Sequence, residues 1–256
     1  MSVLPFSSDD LRGSDAIPVS GLGAEDNAAL QRFRFAFTES GDKRIQLIRL
    51  LKDSGQVRAA FRDEGSGNRV EVGGCFVQVP GTPGTVPFDF ENGQAARVQI
   101  PGMSSDTRFA LSGFEFDRGS DVANVASITI LPDERNGTVL VGFKDRNAGE
   151  STTGRLQYVL VPVGEVNEQF LHEGNNFYAD ETDPERSRPI GGRAAGAPGQ
   201  RVISGFSFVY LYRTDSAARG DAKLKILGVN LEDHTFDFQD NDRHEIIQWK
   251  VDYLVV

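Results

Sequence analysis

The chain has 256 residues, 39% apolar and 25% charged, with 37 Asp and Glu against 27 Lys and Arg and a formal charge of −10. An acidic chain without a basic run is a poor partner for nucleic acid or an anionic membrane, and its short apolar runs cannot span a bilayer, so neither partner is expected. The single cysteine, Cys75, excludes an intrachain disulfide framework and reads as a small buried residue in a strand.

In chain order, residues 1–23 read as an extended N-terminal arm. They lack a positive segment followed by an apolar one, so no secretory leader is expected. Residues 24–33, AEDNAALQRF, are the best helical candidate. From there on, period-2 alternation bounded by Gly, Asp, Asn and Pro marks half-buried strands: FRFAF, RIQLIRLLKD, AAFRD and VGGCFVQVP. GTPGTVP (81–87) reads as a linker. Further strands follow in VQIP, SGFEF, ASITIL, TVLVGFKD and LQYVLVP. Residues 179–201, rich in Pro, Gly and charge, read as a long loop or arm. The last strands are SGFSFVY, AKLKIL, HTFDFQD and WKVDYLVV.

This order contains one unit three times. Phe-x-Phe recurs as Phe33/Phe35, Phe114/Phe116 and Phe206/Phe208, each followed by a middle strand, a strand ending Phe-x-Asp, and a closing apolar strand. Phe61 to Pro80 and Phe143 to Pro162 are both 19 positions, and Ile17, Ile100 and Ile190 precede each unit's second Phe by similar distances. The expected fold is all-β, three tandem small antiparallel β-sandwich modules at 1–80 (with the N-terminal arm), 81–162 and 163–256 (with the 179–201 loop). Separable modules would leave a chain ending at residue 162 folded, and oligomerisation is expected to run through the two arms.

Asp63, Asp145 and Asp240 share one repeat position, but their neighbours change from Arg and Lys to Asn and Asp. The position therefore reads as a turn aspartate, and no metal is expected. The Phe206–Phe208, Leu224–Val229 and Phe236–Phe238 strands and the closing Trp249-Lys250-Val251-Asp252-Tyr253 resemble an H-type lectin domain, most closely in the C-terminal module. That resemblance implies an antiparallel sandwich, a trimeric assembly and calcium-independent carbohydrate binding at clefts between subunits.

The third unit departs from its siblings by added polar and aromatic groups. Tyr210, Tyr212, Arg213, Asp240, Asp242, His244 and Trp249 are therefore its candidate ligand-binding residues, offering ring faces and hydroxyl partners to a sugar. For Trp249, alternation with Val251 and Tyr253 favours a core position. No catalytic motif stands out, so neither an enzyme nor a cofactor is expected. The reading reached is a non-catalytic adhesion or structural component of a phage or phage-like particle, such as a spike, fibre or accessory head or tail protein, with carbohydrate binding. It would be made in the cytoplasm and partnered by copies of itself, other particle proteins and a cell-surface glycan. The alternative is a stand-alone oligomeric lectin.

Overall fold

In the computed structural model, the described residues are 2–11, 14–23, 26–38, 44–63, 69–91, 95–120, 125–145, 151–178, 187–190, 199–212, 215–219, 224–239 and 245–256. The first repeat supplies β1 (Val3–Leu11), β2 (Ser14–Pro18), β3 (Ala28–Phe37), β4 (Ile45–Asp53), β5 (Gln56–Asp63) and β6 (Val70–Gln78). The second supplies β7 (Thr82–Phe90), β8 (Ala95–Gln99), β9 (Thr107–Asp117), β10 (Val125–Asp133), β11 (Thr138–Asp145) and β12 (Thr152–Pro162). The third supplies β13 (Glu168–Tyr178), β14 (Ser187–Pro189), β15 (Arg201–Tyr212), β16 (Asp215–Arg219), β17 (Ile226–Asn230), β18 (Thr235–Gln239) and β19 (Glu245–Val255). The fold is all-β, as expected, and every strand pairing is antiparallel.

The repeats lie end to end in sequence but interlock in space. The first sheet runs β1-β6-β3-β17-β18-β14, the second β2-β5-β4-β9-β12-β7, and the third β13-β19-β15-β10-β11-β8, with β16 on β15. Each of the first two repeats therefore gives three strands to one sheet and three to the next; the third gives β17, β18 and β14 to the first sheet and β13, β19, β15 and β16 to the third, and closes the ring by pairing β17 with β3. Within a repeat the two half-sheets face each other as a small sandwich, held by the pairs Phe35–Phe61, Phe116–Phe143 and Phe208–Phe238 at 5.2, 5.6 and 5.3 Å. The repeat boundaries read from sequence fall after β6 and β12, but the hydrogen-bonded sheets cross both.

The first Phe of each Phe-x-Phe points to a common centre. Phe33, Phe114 and Phe206 form a triangle with ring centroids 5.2, 5.2 and 5.5 Å apart, so β3, β9 and β15 surround a pseudo-threefold axis. Each of these strands carries an irregularity just before that Phe, at Leu30/Arg32, opposite Gln157/Tyr158, and at Ile203/Gly205. One extra residue moves the following side chains to the other face. Beyond the bulges a second, smaller core forms from Ala29, Ala110 and Val202 with Val77, Val159, Leu254, Val79, Val161 and Val256.

Four expectations are corrected. The first 23 residues are not a free arm: β1 and β2 are strands of two different sheets, and Leu4, Phe6, Leu11, Ile17, Val19 and Leu22 are buried. The 81–87 linker is most of β7, an edge strand whose Pro83 and Pro87 are tolerated because an edge leaves one side of the backbone unpaired. Of the helical candidate at 24–33, residues 28–33 are the start of β3, because Ala28, Ala29 and Leu30 are completely buried in a sheet that outweighs local propensity, while 24 and 25 lie outside the described residues. Of the 179–201 loop, 187–189 form β14 on β18 and Ile190 is buried, while 179–186 and 191–198 lie outside the described residues.

Candidate functional site

The outer face of the second sheet carries a row of charges set by register. Arg49 on β4 stands opposite Glu115 on β9, which stands opposite Arg155 on β12. All three alternate with core residues (Ile48 and Leu50, Phe114 and Phe116, and Leu156), so burial of the inner face fixes them outward. Glu115 is nearly buried, its side chain 7% exposed, and both arginines meet it through Nε, Arg155 at 3.2 Å. A carboxylate taken out of water to this extent is stable only with such partners.

One row further along, Gly113 leaves the space above β9 open. The Gln157 side chain crosses it to the backbone of β4, where its Oε1 accepts from the Lys52 N–H at 2.7 Å and its Nε2 donates to the Lys52 carbonyl at 2.9 Å. The side chain thus replaces the backbone ladder at the point where β4 and β9 stop pairing. Lys52 is itself buried and its ammonium donates to the Asp26 carbonyl. At the end of β4, Arg58 bonds Asp53 at 2.8 Å. The Asp53 carboxyl is held below its usual range by the Ser54 N–H, then by Gln56 and Arg58.

These residues line a groove of about 540 Å³ along the seam between repeats one and two. Pro83, Gly84 and Thr85 of β7 form one wall, and the Tyr158 ring lies beneath Gly84. The size falls in the range of small-molecule sites. The charged side chains lining it are Arg49, Lys52, Arg58 and Arg155 against Asp53 and Glu115, a local excess of two positive charges on an acidic protein.

The corresponding rows on the other sheets differ in chemistry. On the first sheet the Glu115 position is Arg34, 3.6 Å from Glu71 and 3.9 Å from Asp237. On the third it is Ser207, beside Lys250, which pairs with Glu173 at 3.1 Å. The Gln157 position is Cys75 on the first sheet, buried and with its thiol pKa raised by that burial. On the third it is Asp252, over Gly205. There β10 has Pro132 in place of Lys52 and offers no N–H. Asp252 is buried, its Oδ1 has no hydrogen-bond partner among the described residues, and its pKa is pushed up to about 7 by burial and then by the Glu134 charge. Glu134 is also raised by burial, against the pull of Arg108 at 3.4 Å.

Of the residues singled out from sequence, Trp249 is a core residue. It is 7% exposed, stacks on Phe236 at 5.7 Å and covers Gly174. Tyr210 and Tyr212 lie on β15 opposite Ile247 and Glu245. Arg213, Asp240, Asp242 and His244 lie outside the described residues. β15 and β18 belong to different sheets and face each other through Phe208 and Phe238 rather than lying side by side. The groove on the second sheet was not anticipated. Its one sequence signal is the charged residue next to core positions in FEF, IRL and GRL, and only the register shows that these three meet.

No protein-family model matches the chain, and no curated protein matches it.

Proposed function

We propose that this protein is a non-catalytic structural and adhesion component of a phage or phage-like particle, and that it binds carbohydrate in the groove on its second sheet. The observation that supports this most is the groove itself. It is sugar-sized, polar and positioned by strands on both sides of a seam between repeats, not by a loop. Sites on strands hold geometry well, as recognition of ring hydroxyls by fixed donors requires. The closed three-repeat body supports the particle role: a chain that forms its own pseudo-trimer provides a rigid three-sided unit for a larger assembly. The resemblance of the third repeat to a lectin that binds at clefts between subunits is consistent with a site at a seam.

A single site of this kind is expected to be weak, in the millimolar to micromolar range (roughly −4 to −8 kcal/mol), and effective when many copies act together. The test is a glycan array probed with the chain coupled at high density to beads. Binding that weakens when Arg155 is changed to Ala supports the reading. A silent array at high valency leaves a purely structural role.

A further inference from the structure

We propose that the groove on the second sheet selects anionic oligosaccharides, with separate carboxylates or sulfates of one acidic chain seated on Arg58 and on Arg155; this rests on the carbohydrate-binding reading above. Among the described residues, the hydrogen bonds of Arg49, Arg58 and Arg155 to protein atoms all leave from Nε, toward Glu115 or Asp53. No terminal nitrogen of these guanidiniums bonds to the described protein, and all three residues line the groove. A guanidinium offers its donors as a planar fork suited to two oxygens of one anion, and a neutral sugar hydroxyl uses that fork poorly. The nearly buried Glu115 anchors Arg49 and Arg155, so little of their side-chain freedom remains to be lost on binding, while Arg58 is held by the partly exposed Asp53.

The charge balance points the same way. Glu115 is shared by two cations and its side chain is almost fully covered, so it presents little negative charge to a ligand, whereas Arg58 and Arg155 are 60% and 51% exposed. The −10 charge of the chain does not overrule this, because at physiological salt charges beyond about 8 Å are largely screened. The corresponding rows of the other two sheets cannot do the same: one is centred on a cation that meets two carboxylates, the other on Ser207. The fold is triplicated, but this anion site occurs once among the three homologous rows.

Isothermal titration with the full chain tests this in four arms: an oligogalacturonate, the same oligosaccharide with its carboxyls reduced, a heparin-derived tetrasaccharide, and maltotetraose. The expected result is at least tenfold tighter binding of an acidic oligosaccharide than of its neutral counterpart. Because the heparin fragment carries carboxylates as well as sulfates, binding in the third arm without binding in the first assigns the recognised group to sulfate, and binding in the first assigns it to carboxylate. Arg58→Ala and Arg155→Ala should each remove at least tenfold of that affinity, while Arg155→Lys should restore only part of it. Arg58 pairs only at the surface, so its variant stays folded even if loss of Arg155 strains Glu115. Equal affinity for acidic and neutral oligosaccharides overturns the selectivity and leaves carbohydrate binding standing. No heat with any saccharide overturns both readings, and acidic binding unchanged in Arg58→Ala and Arg155→Ala overturns the location.

Discussion

Asp252 and Gln157 occupy one position in successive repeats and end in opposite states. Gln157 both donates and accepts at Lys52, so its amide is satisfied; Asp252 faces a proline and keeps an orphaned oxygen. Its raised pKa, about 7 against an ordinary 3.8, has a definite sign in stability. The folded protein holds this proton more tightly than the unfolded chain. The group's contribution is therefore complete below about pH 4 and lost as pH rises to about 7. The full shift would be worth about 4 kcal/mol as an upper bound, at about 1.4 kcal/mol per unit. His172 and His234, whose pKa values burial lowers, tilt the profile the other way at acid pH, so the variant comparison isolates the aspartate. Asp252→Asn should raise the urea midpoint at pH 8 and flatten its fall between pH 5 and 8. An unchanged slope in the variant would refute the assignment. The core position of Trp249 followed from alternation, since Val251 and Tyr253 share its face. The states of Asp252 and Glu115 did not, because each depends on residues more than a hundred or about forty to sixty-six positions away, brought alongside only by register.

At the scale of elements, alternation identified the central strands because one face of each is buried, and it failed on the edges. β1 and β7 are edge strands interrupted by Pro5, Pro83, Gly84 and Pro87, and an edge tolerates residues that a central strand would reject, so both resembled unstructured chain. The Ser-Gly-Phe lead-in shared by repeats two and three was visible as a repeat, but its cause lies in the bulge. A Cβ on Gly113 would meet the Leu50 carbonyl at 2.6 Å and the Gln157 Oε1 at 2.7 Å; one on Gly205 would meet the Ile130 carbonyl at 2.4 Å. Both obstacles include backbone of the adjacent strand from the preceding repeat, so the glycines let β9 and β15 approach the neighbouring repeat closely. Gly113→Ala should lower stability by about 1–3 kcal/mol through overpacking. Gln157→Ala, which leaves the buried Lys52 backbone groups unpaired, should cost about 1–3 kcal/mol. Thermal unfolding of the two single variants and the double checks the shared cause: the double variant should cost less than the sum, because the first change already displaces the glutamine. Full additivity would separate the two effects.

For the whole molecule, the recurrence of Phe-x-Phe was legible in the sequence, and Phe33, Phe114 and Phe206 meet at one centre, but the exchange of half-sheets was not legible. Strand periodicity fixes which face is buried and is silent on which chain segment lies alongside. The interlocking reverses the expectation that a chain ending at residue 162 would stay folded. Such a chain would lose β13, β19 and β15 from the third sheet and β17, β18 and β14 from the first. β10 and β3 would be left as bare edges, with the Phe33–Phe114 pair opened where Phe206 had closed it. Loss of one large core aromatic alone typically costs about 3–5 kcal/mol, and total stabilities of domains are about 5–15 kcal/mol. The fragment cannot absorb that loss together with two severed sheets. Deleting residues 1–18 should be severe for a related reason: it strips β1 from the first sheet and β2 from the second, with the buried Leu4, Phe6, Leu11 and Ile17. The full chain should therefore unfold in one calorimetric transition with matching calorimetric and van't Hoff enthalpies, because no repeat holds a complete sheet of its own. The 1–162 fragment should show no cooperative endotherm. A sharp transition in that fragment would mean that a pair of repeats closes its sheets without the third, and the threefold ring would then be an assembly of separable units.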